Sequence, residues 1–511
     1  KIEAPLFYSL ILFLPTQLGK HFWPDFAYVH GLRIDYLSPT VYFTDVLVGL
    51  FFIVWMFKKL GLSSSKKYQI SNIKFQISKL MSIGNWKFES GTYLILILFL
   101  LINIHLSNRI PGGQYSLFKL TEMSFLAYYT AKFISDRSRF DKTLLMFCLS
   151  AITESIMAIF QFLIHGSIGG PLYFLGERTF NSTTPGIANA SINGELILRP
   201  YGTFSHPNVL AGYLVIVMIL ILFQLIRHCE ELSDKAISKN RTGLPRSFQS
   251  LAMTFCLIRG SIALFLTLSR VAILVWILIL FNCLIKYIHR HPGKRSASRI
   301  SKRESSLPAG RDSGQVRMTK SISLSVVLIG VVTLFFLTPL GSRFTSLNLA
   351  DEAVVARQEL MESSLKMINA SPLLGVGLGN FIPTLARQQK PLTVGTNLQP
   401  VHNIFLLIAA ETGLIGLGFF MWLIFKIYQR LFYCHPELAR HERGRMVSGS
   451  KKMPKLVRHD RPAGLIIAIS SILALGMFDH YWLTLQQGQL LFAIIIGISF
   501  SNFKKTAHKS S

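Results

Sequence analysis

Residues 206–226 read HPNVLAGYLVIVMILILFQLI and contain no lysine, arginine, aspartate or glutamate. A helix of about 20 such residues crosses the hydrocarbon core of a bilayer, because each residue adds about 1.5 Å to its length. Eleven more apolar stretches occur, near residues 4–18, 40–57, 92–107, 116–134, 143–165, 249–268, 271–289, 322–340, 403–426, 463–478 and 486–502. The sequence therefore predicts an all-α polytopic membrane protein with about twelve transmembrane helices.

The composition of the whole chain agrees with this prediction. Half of the 511 residues are apolar, only 15% are charged, and phenylalanine occurs 39 times. A soluble domain does not need so much apolar surface, and a disordered or collagen-like chain does not contain it. These three classes are therefore excluded.

The distribution of positive charge predicts the orientation of the chain. There are 53 lysines and arginines against 25 acidic residues, which gives a formal net charge of +28. Forty of the basic residues fall on one side of the predicted spans and eleven on the other, while Lys119 and Arg259 fall inside spans. Because basic segments stay in the cytoplasm, both termini are predicted to be cytoplasmic. The net charge is thus an orientation signal, and no nucleic-acid partner is predicted.

The spans divide the chain into four predicted segments. The third is a large extracytoplasmic loop between spans 9 and 10, in which residues 351–369 have the pattern of an amphipathic helix. The segments are 1–142 with spans 1–4, 143–340 with spans 5–9 and an extracytoplasmic loop at 166–205, 341–402 as the large loop, and 403–511 with spans 10–12 and a cytoplasmic tail.

The extracytoplasmic segments contain clusters of unusual residues, whereas the basic cytoplasmic segments have no motif. One cluster, RPYGTFSHPN, runs from Arg199 to Asn208 at the start of a span. Another is the Ser269–Arg270 turn between two long apolar stretches. Each arginine is either an ordinary interfacial residue or an anion-binding group, because the guanidinium fork suits phosphate oxygens. A charge held close to hydrocarbon is costly, which favours a functional role for Arg270.

Two further clusters follow the large loop helix that contains Arg357. Residues 371–381 read SPLLGVGLGNF and include Asn380. Their alternating glycines resemble a phosphate loop, but no strand–helix unit surrounds them, so close packing on neighbouring helices is favoured. His402 and Asn403 begin the span at 403–426, which also contains Glu411. A single histidine is more often structural than catalytic, but the adjacent glycine-rich helix favours function here.

The last cluster, DHYW, begins at Asp479 in the final extracytoplasmic turn. A carboxylate at a span end either pairs with an arginine or orients a histidine or a substrate hydroxyl. Both interpretations of Asp479 are open at the level of sequence.

In this order the clusters resemble the O-antigen ligase and polymerase superfamily of bacterial inner membranes. The ligase signature is a histidine followed by Asn, Ser or Gln, then nine residues, glycine, two residues, and a small residue or tyrosine. This sequence matches the signature at His402, Asn403, Gly413 and Gly416. The superfamily element Gly-x-Phe-x-x-Pro-Asn is matched by Gly202, Phe204, Pro207 and Asn208, with Arg199 ahead of it. The Ser-Arg turn of the superfamily is matched by Ser269–Arg270, and its loop element by Arg357 with Pro372 to Phe381. The resemblance extends from about residue 143 to the end of the chain.

The resemblance implies a membrane glycosyltransferase that works at the extracytoplasmic face of the inner membrane. Its donor would be a glycan linked to undecaprenyl diphosphate, and its acceptor a hydroxyl of another glycan, of a lipid A core or of a protein. Inversion at the anomeric centre is also implied. The predicted catalytic residues are His402, Arg199, Arg270, Arg357 and Asp479, and the predicted substrate-binding residues are Asn208, Asn403, Glu411 and Asn380. No metal or other cofactor is predicted, because several arginines facing one cavity could stabilise the leaving diphosphate.

Two other functions compete with this one. Metal-dependent transferases that use polyprenyl-phosphate sugars carry paired acids, but Asp25 and Asp35 are isolated and no Asp-x-Asp occurs in the chain. A transporter or flippase of lipid-linked oligosaccharide would have internal repeats and polar groups near the midplane. The sequence has no repeat between its halves, and its polar clusters lie at the outer ends of spans. No role is assigned to Arg259 or to residues 15–45.

Overall fold

The computed structural model describes residues 2–59, 90–107, 110–192, 194–234, 246–290, 352–388, 398–433 and 461–501, and a few single residues between 330 and 341. Most of the predicted span at 322–340 lies outside the described residues, as do most of the basic segments predicted to be cytoplasmic. The described part is mostly helical.

Long apolar stretches become helices in this protein because their side chains bury apolar area while the backbone satisfies its own hydrogen bonds. The helices of the described residues are α1 (Glu3–Leu12), α2 (Phe43–Lys59), α3 (Ser90–His105), α4 (Ile110–Phe133), α5 (Arg137–Ile164), α6 (Pro207–Asp234), α7 (Arg246–Leu266), α8 (Arg270–Arg290), α9 (Glu352–Ala370), α10 (Phe381–Gln388), α11 (Ile404–Tyr433), α12 (Arg461–Gly476), α13 (Tyr481–Thr484) and α14 (Gln486–Phe500). The helix predicted at 351–369 is present as α9, whereas α10 was not predicted.

Three helices of the described residues are long and apolar enough to cross a membrane, namely Arg137–Ile164, Pro207–Arg227 and Ile404–Phe432. They coincide with three of the predicted spans. Shorter apolar helices lie at other predicted spans, at Glu3–Leu12, Ile95–His105, Ser250–Leu266, Arg270–Ile285, Ala463–Gly476 and Gln486–Phe500. The chain is therefore a membrane protein with apolar helices. The count of twelve spans stays a prediction.

The prediction of an all-α protein needs one correction, because short strands occur between the helices. The strands are β1 (Gly19–His21), β2 (Tyr28–Val29), β3 (Leu32–Arg33), β4 (Thr40–Tyr42), β5 (Asn189–Ile192) and β6 (Glu195–Leu198). They form three antiparallel pairs, β1 with β4, β2 with β3 and β5 with β6, in which Gly19 is opposite Tyr42 and Asn189 opposite Leu198. Pairing satisfies backbone groups in segments that are not helical. Such short strands leave little periodic signal in the sequence.

The residues fall into two compact units by their contacts. The first unit consists of Lys1–Met146, Phe174–Glu177 and Asn348–Ser511, and the second of Phe147–Tyr173 and Arg178–Leu347. The four segments predicted from the sequence, with boundaries at 142, 340 and 402, stay predictions.

One apolar core of the first unit joins the N-terminal segment to the large loop and to the start of α11. Its buried members are Ala27, Val29, Ile34 and Leu37 from the segment of β2 and β3, Leu360 and Met367 from α9, Phe381, Ile382, Leu385 and Ala386 from α10, and Leu398, Val401, Leu407 and Ala410. The segment at 15–45, to which the sequence assigned no role, thus packs with α9, which contains Arg357, and with α11, which begins after His402.

Lys119, which is predicted inside a span, is paired with two acidic side chains of the first unit. The Nζ atom of Lys119 lies 2.6 Å from a carboxylate oxygen of Asp45 and 3.1 Å from one of Glu122. It also donates to Oε1 of Gln486 at 3.2 Å. A buried charge is tolerated when it is paired and hydrogen-bonded in this way. The cluster links α2, α4 and α14.

Arg259, the other basic residue predicted inside a span, belongs to the second unit. Its guanidinium carbon lies 3.9 Å from the ring centroid of Phe255, one turn earlier on α7. A cation over an aromatic face is stabilised by the quadrupole of the ring. The side chain therefore has a local partner on its own helix.

Helix α11 is broken at Gly413, and the glycine-rich segment 371–381 fills the break. Gly413 has φ 67° and ψ −175°, a conformation that is essentially restricted to glycine. The N–H of Val376 donates to the carbonyl of Ala410 at 2.8 Å, and the N–H of Leu414 donates to the carbonyl of Pro372 at 2.8 Å. The close packing that the alternating glycines predicted is thus observed.

The side chain of Asn103 in α3 fixes this glycine-rich segment from the other side. Its Nδ2 donates to the carbonyl of Leu374 at 2.6 Å, and its Oδ1 accepts the N–H of Leu378 at 2.7 Å. The amide of Asn103 is buried. A single polar side chain therefore satisfies two backbone groups of a turn that forms no regular structure.

We expect Gly413→Ala to lower the stability of the protein by at least about 1–3 kcal/mol, because alanine would have to adopt a glycine-only conformation. A Cβ atom at this position would also collide with the carbonyl of Leu373. The measurement is the thermal unfolding midpoint of the purified protein in detergent. The matched control is Gly418→Ala in the same helix, where a Cβ atom meets open space. Equal midpoints for the two variants would contradict the strain assigned to Gly413.

Candidate active site

Asn403 determines where His402 lies in the first unit. Its Oδ1 caps α11 by accepting the N–H groups of Phe405 at 2.9 Å and Leu406 at 3.1 Å. Its Nδ2 donates to the carbonyl of Met477 at 3.2 Å. The amide therefore fastens the start of α11 to the residues that follow α12. This contact brings His402 beside Asp479 and His480.

His402, Asp479 and His480 form a cluster of titratable side chains. One ring nitrogen or carboxylate oxygen from each lies within 4.8 Å of the others. The two imidazole rings are 5.0 Å apart between centroids, with an angle of 70° between their planes. Nδ1 of His402 is buried and has no hydrogen-bond partner among the described residues. By composition, these three side chains could act on a proton or hold a metal ion.

Two hydrogen-bond contacts hold His480 in this cluster. Its ring is buried, and its Nδ1 lies 2.6 Å from Oγ1 of Thr484, one turn later in α13. Its backbone N–H donates to Oδ1 of Asp479 at 2.8 Å. The same carboxylate thus contacts the histidine backbone and lies beside both imidazoles.

Burial keeps both imidazoles neutral near pH 7. Desolvation lowers the pKa of His402, and the charge of Arg357 lowers it further, while the Asp479 carboxylate raises it. The pKa of His480 falls to about 4, mainly because of burial, with Asp479 again acting in the opposite direction. A neutral imidazole offers a lone pair that accepts a proton, which is what a general base requires.

Arg357 is the arginine whose charge reaches this cluster. It lies in the first part of α9 and is exposed, whereas Leu360 and Met367 on the same helix are buried in the apolar core. Its positive charge acts on the pKa of both histidines in the same, downward direction. The structure therefore brings His402 and Asp479 together, and the charge of Arg357 lowers the pKa of both histidines.

Two members of this site were missed by the sequence analysis, His480 and Tyr36. The ring of Tyr36 lies 5.5 Å from that of His480, edge to face. The position of His480 beside an acid at a span end was a usable signal, but only Asp479 was selected there. Tyr36 lies in the N-terminal segment and carried no signal, because its proximity depends on the packing of β2 and β3 against the large loop.

Glu411 and Asn380 support the glycine-rich segment beside α11. Oε1 of Glu411 accepts the N–H of Phe381 at 3.3 Å, at the start of α10. Asn380 is fully buried, and its Nδ2 donates to the carbonyl of Leu378 at 3.0 Å. Both side chains thus hold the backbone that fills the break in α11. The role in substrate binding that the sequence predicted for them stays a prediction.

In the second unit, Arg199 connects two of the predicted motifs. Its Nε donates to the carbonyl of Thr267 at 2.6 Å, and its Nη2 donates to Oδ1 of Asn208 at 2.6 Å. Thr267 precedes the Ser269–Arg270 turn, and Arg270 is the first residue of α8. The guanidinium of Arg199, Asn208 and the turn before Arg270 therefore lie together.

Two polar side chains of α5, Glu154 and Gln161, hold the RPYGTFSHPN segment in place. Oε1 of Gln161 accepts the N–H groups of Tyr201 at 2.9 Å and Gly202 at 2.7 Å. The two carboxylate oxygens of Glu154 accept the N–H and the hydroxyl of Thr203, each at 2.8 Å. Sequence reasoning missed both, although polar residues inside an otherwise apolar span are a usable signal.

The nine predicted site residues are divided between the two units. The first unit contains His402, Asn403, Asp479, Arg357, Glu411 and Asn380, and the second contains Arg199, Asn208 and Arg270. The predicted convergence of Arg199 and Arg270 with His402 on one cavity involves residues of both units, and it stays a prediction.

Part of the chain matches a protein-family model. Residues 253–421 match the family model described as O-antigen ligase. No curated protein matches the chain significantly. The matched region contains Arg270, Arg357 and His402, whereas Arg199 and Asp479 lie outside it. The resemblance to the O-antigen ligase superfamily that the motifs predicted is confirmed over residues 253–421.

Proposed function

We propose that the protein transfers a glycan from undecaprenyl diphosphate to an acceptor hydroxyl at the extracytoplasmic face of a bacterial inner membrane. The acceptor is another glycan, a lipid A core or a protein. The family match supports a ligase or polymerase type of glycosyltransferase in general. The observation that carries the specific proposal is the grouping of His402 and Asp479 within electrostatic range of Arg357. A base, a carboxylate and an anion-binding group are what this reaction needs.

His402 acts as the general base. The acceptor hydroxyl attacks the anomeric carbon of the donor sugar, and the imidazole takes the hydroxyl proton as the new C–O bond forms. The low pKa of His402 keeps its lone pair available near neutral pH. Asp479 stabilises the imidazolium that results, because an adjacent carboxylate favours the charged form.

Undecaprenyl diphosphate leaves as the bond between the anomeric carbon and the diphosphate oxygen breaks. The electron pair stays on the diphosphate, and guanidinium groups stabilise the developing negative charge. We assign this role to Arg357 and Arg270 on the chemistry of the guanidinium fork. Attack opposite the leaving group inverts the anomeric centre, and the step requires no metal.

The remaining predicted site residues act mainly by positioning these groups. Arg199 and Asn208 hold the turn before Arg270, since their hydrogen bonds run to that turn and to each other. Asn403 holds His402 beside Asp479. Glu411 and Asn380 hold the glycine-rich segment from which α10 begins.

We expect His402→Ala to lower turnover by about 10²- to 10⁴-fold, the usual contribution of a general base. Binding of the lipid diphosphate donor should change little. The measurement is product formation by purified protein in detergent, supplied with the donor and a hydroxyl acceptor. The matched control is His30→Asn, because His30 is exposed in the same unit and has φ 48°, a conformation that asparagine tolerates.

The same detergent assay separates transfer from transport. A flippase needs two compartments, whereas glycosyl transfer proceeds in a micelle. Product formation by the wild-type protein in detergent would therefore exclude transport as the sole activity. Turnover by His402→Ala at the wild-type rate would remove His402 as the base.

We expect Arg357→Lys and Arg270→Lys each to lower kcat/KM by about 10- to 100-fold, since a hydrogen bond to a charged group contributes about 1.5–3 kcal/mol. Lysine keeps the charge but loses the planar fork that binds two phosphate oxygens. The matched control is Arg387→Lys, because Arg387 donates to Pro383 and Thr384 of its own helix. Full activity of both site variants would contradict diphosphate binding by these arginines.

The two charges beside His402 should move the acidic limb of the pH–rate profile in opposite directions. Removing the carboxylate in Asp479→Asn takes away a group that raises the pKa of His402, so the limb shifts to lower pH. Removing the cation in Arg357→Gln takes away a group that lowers this pKa, so the limb shifts to higher pH. The measurement is kcat/KM of the residual activity from pH 4 to pH 8. Shifts in the same direction would contradict the assignment of the limb to His402.

A further inference from the structure

Two imidazoles and one carboxylate meet at His402, Asp479 and His480, a combination that the proposed transfer reaction does not require. We propose that these three side chains bind Zn²⁺ and that bound Zn²⁺ blocks glycan transfer. The binding is independent of the proposed function, whereas the block rests on the role proposed there for His402. The proposal depends on the ligand set, the orientation of His480 and the environment of His402.

The ligand set suits Zn²⁺. Two nitrogens and one carboxylate oxygen are typical ligands of Zn²⁺ and similar transition metals, whereas Mg²⁺ and Ca²⁺ prefer oxygen ligands alone. Three protein ligands leave a fourth position for water. The three ligand atoms lie within 4.8 Å of one another. Tetrahedral ligands at about 2.0–2.1 Å from Zn²⁺ are about 3.4 Å apart, so side-chain movements of about 1 Å complete the site.

The hydroxyl of Thr484 orients the ring of His480. The Thr484 hydroxyl donates its hydrogen to the carbonyl of His480 at 3.1 Å. The same hydroxyl oxygen lies 2.6 Å from Nδ1 of this histidine, so Nδ1 is engaged and Nε2 is the ring nitrogen left for a metal. Coordination through Nε2 requires the tautomer in which Nδ1 carries the proton and the hydroxyl accepts from it. Metal-binding histidines are usually oriented by such a hydrogen bond from the other ring nitrogen.

The environment of His402 also favours a ligand. Its Nδ1 is buried without a hydrogen-bond partner among the described residues. A buried polar atom of this kind costs free energy unless a partner satisfies it. Arg357 opposes a cation here, since its charge lowers the pKa of both histidines, but the Asp479 carboxylate acts in the opposite direction and is itself one of the ligands.

Binding at His402 would block the reaction directly. A neutral imidazole has one lone pair, which either coordinates the metal or takes the acceptor proton. The ring nitrogen opposite the metal carries a hydrogen and is not a base. Zn²⁺ should therefore inhibit transfer, and a chelator should restore it.

The binding experiment uses the full chain in detergent, without a polyhistidine tag and without donor or acceptor. Zn²⁺ is titrated against a competing indicator, and Co²⁺ is used as a spectroscopic probe of four-coordinate geometry. We expect one ion per chain at this site. His480→Asn and Asp479→Asn should weaken binding at least about 10-fold, and Thr484→Val, which leaves all three ligands in place, by about 10- to 100-fold. The matched control His30→Asn should bind as the wild type does.

The outcomes separate this inference from the proposed function. Unchanged affinity in His480→Asn, Asp479→Asn and Thr484→Val would overturn the site, even if His402→Ala proves inactive. Binding that these variants weaken, together with reversible inhibition of the wild type by Zn²⁺, would support the whole inference. Such binding without inhibition would keep the site but overturn the block and the assignment of His402 as base.

Discussion

The backbone hydrogen bonds between the glycine-rich segment and the break in α11 are the contact on which the candidate site depends. At Gly413 the helix gives up its own hydrogen bonds, and the carbonyls of Ala410 and Glu411 accept N–H groups of the segment instead. Without these partners the break would leave polar groups unsatisfied in an apolar setting, which is costly. The same bonds hold the large loop, and with it α9 and Arg357, against the helix that begins after His402.

Much of the fold was visible in the sequence, because long apolar stretches and the distribution of charge are strong signals. The three long apolar helices coincide with predicted spans, and α9 lies where an amphipathic pattern was recognised. The short strands and α10 were not predicted. Strands of two to four residues have too few positions for an alternating pattern, and α10 depends on contacts with α9 and α11.

The candidate site was predictable where a residue lies in a motif, as His402 and Arg357 do. Proximity across the chain was not predictable. His480 belongs to the site because its ring lies beside that of His402, nearly eighty residues earlier in the chain. Tyr36 belongs to it because its ring lies beside that of His480, which is far away in sequence. Gln161 and Glu154 likewise act on a segment 40 and 49 residues later, respectively. A motif identifies a residue type in its local setting, whereas tertiary packing decides which groups face each other.

The buried lysine cluster has a consequence for biogenesis. Lys119 and its neighbours Asp45 and Glu122 leave the ribosome long before Gln486, which donates to Asp45 and accepts from Lys119. During synthesis these three side chains therefore have an incomplete set of polar partners. The last helix, α14, supplies the missing amide, so the hydrogen bonds of the cluster are completed only when α14 packs against α4.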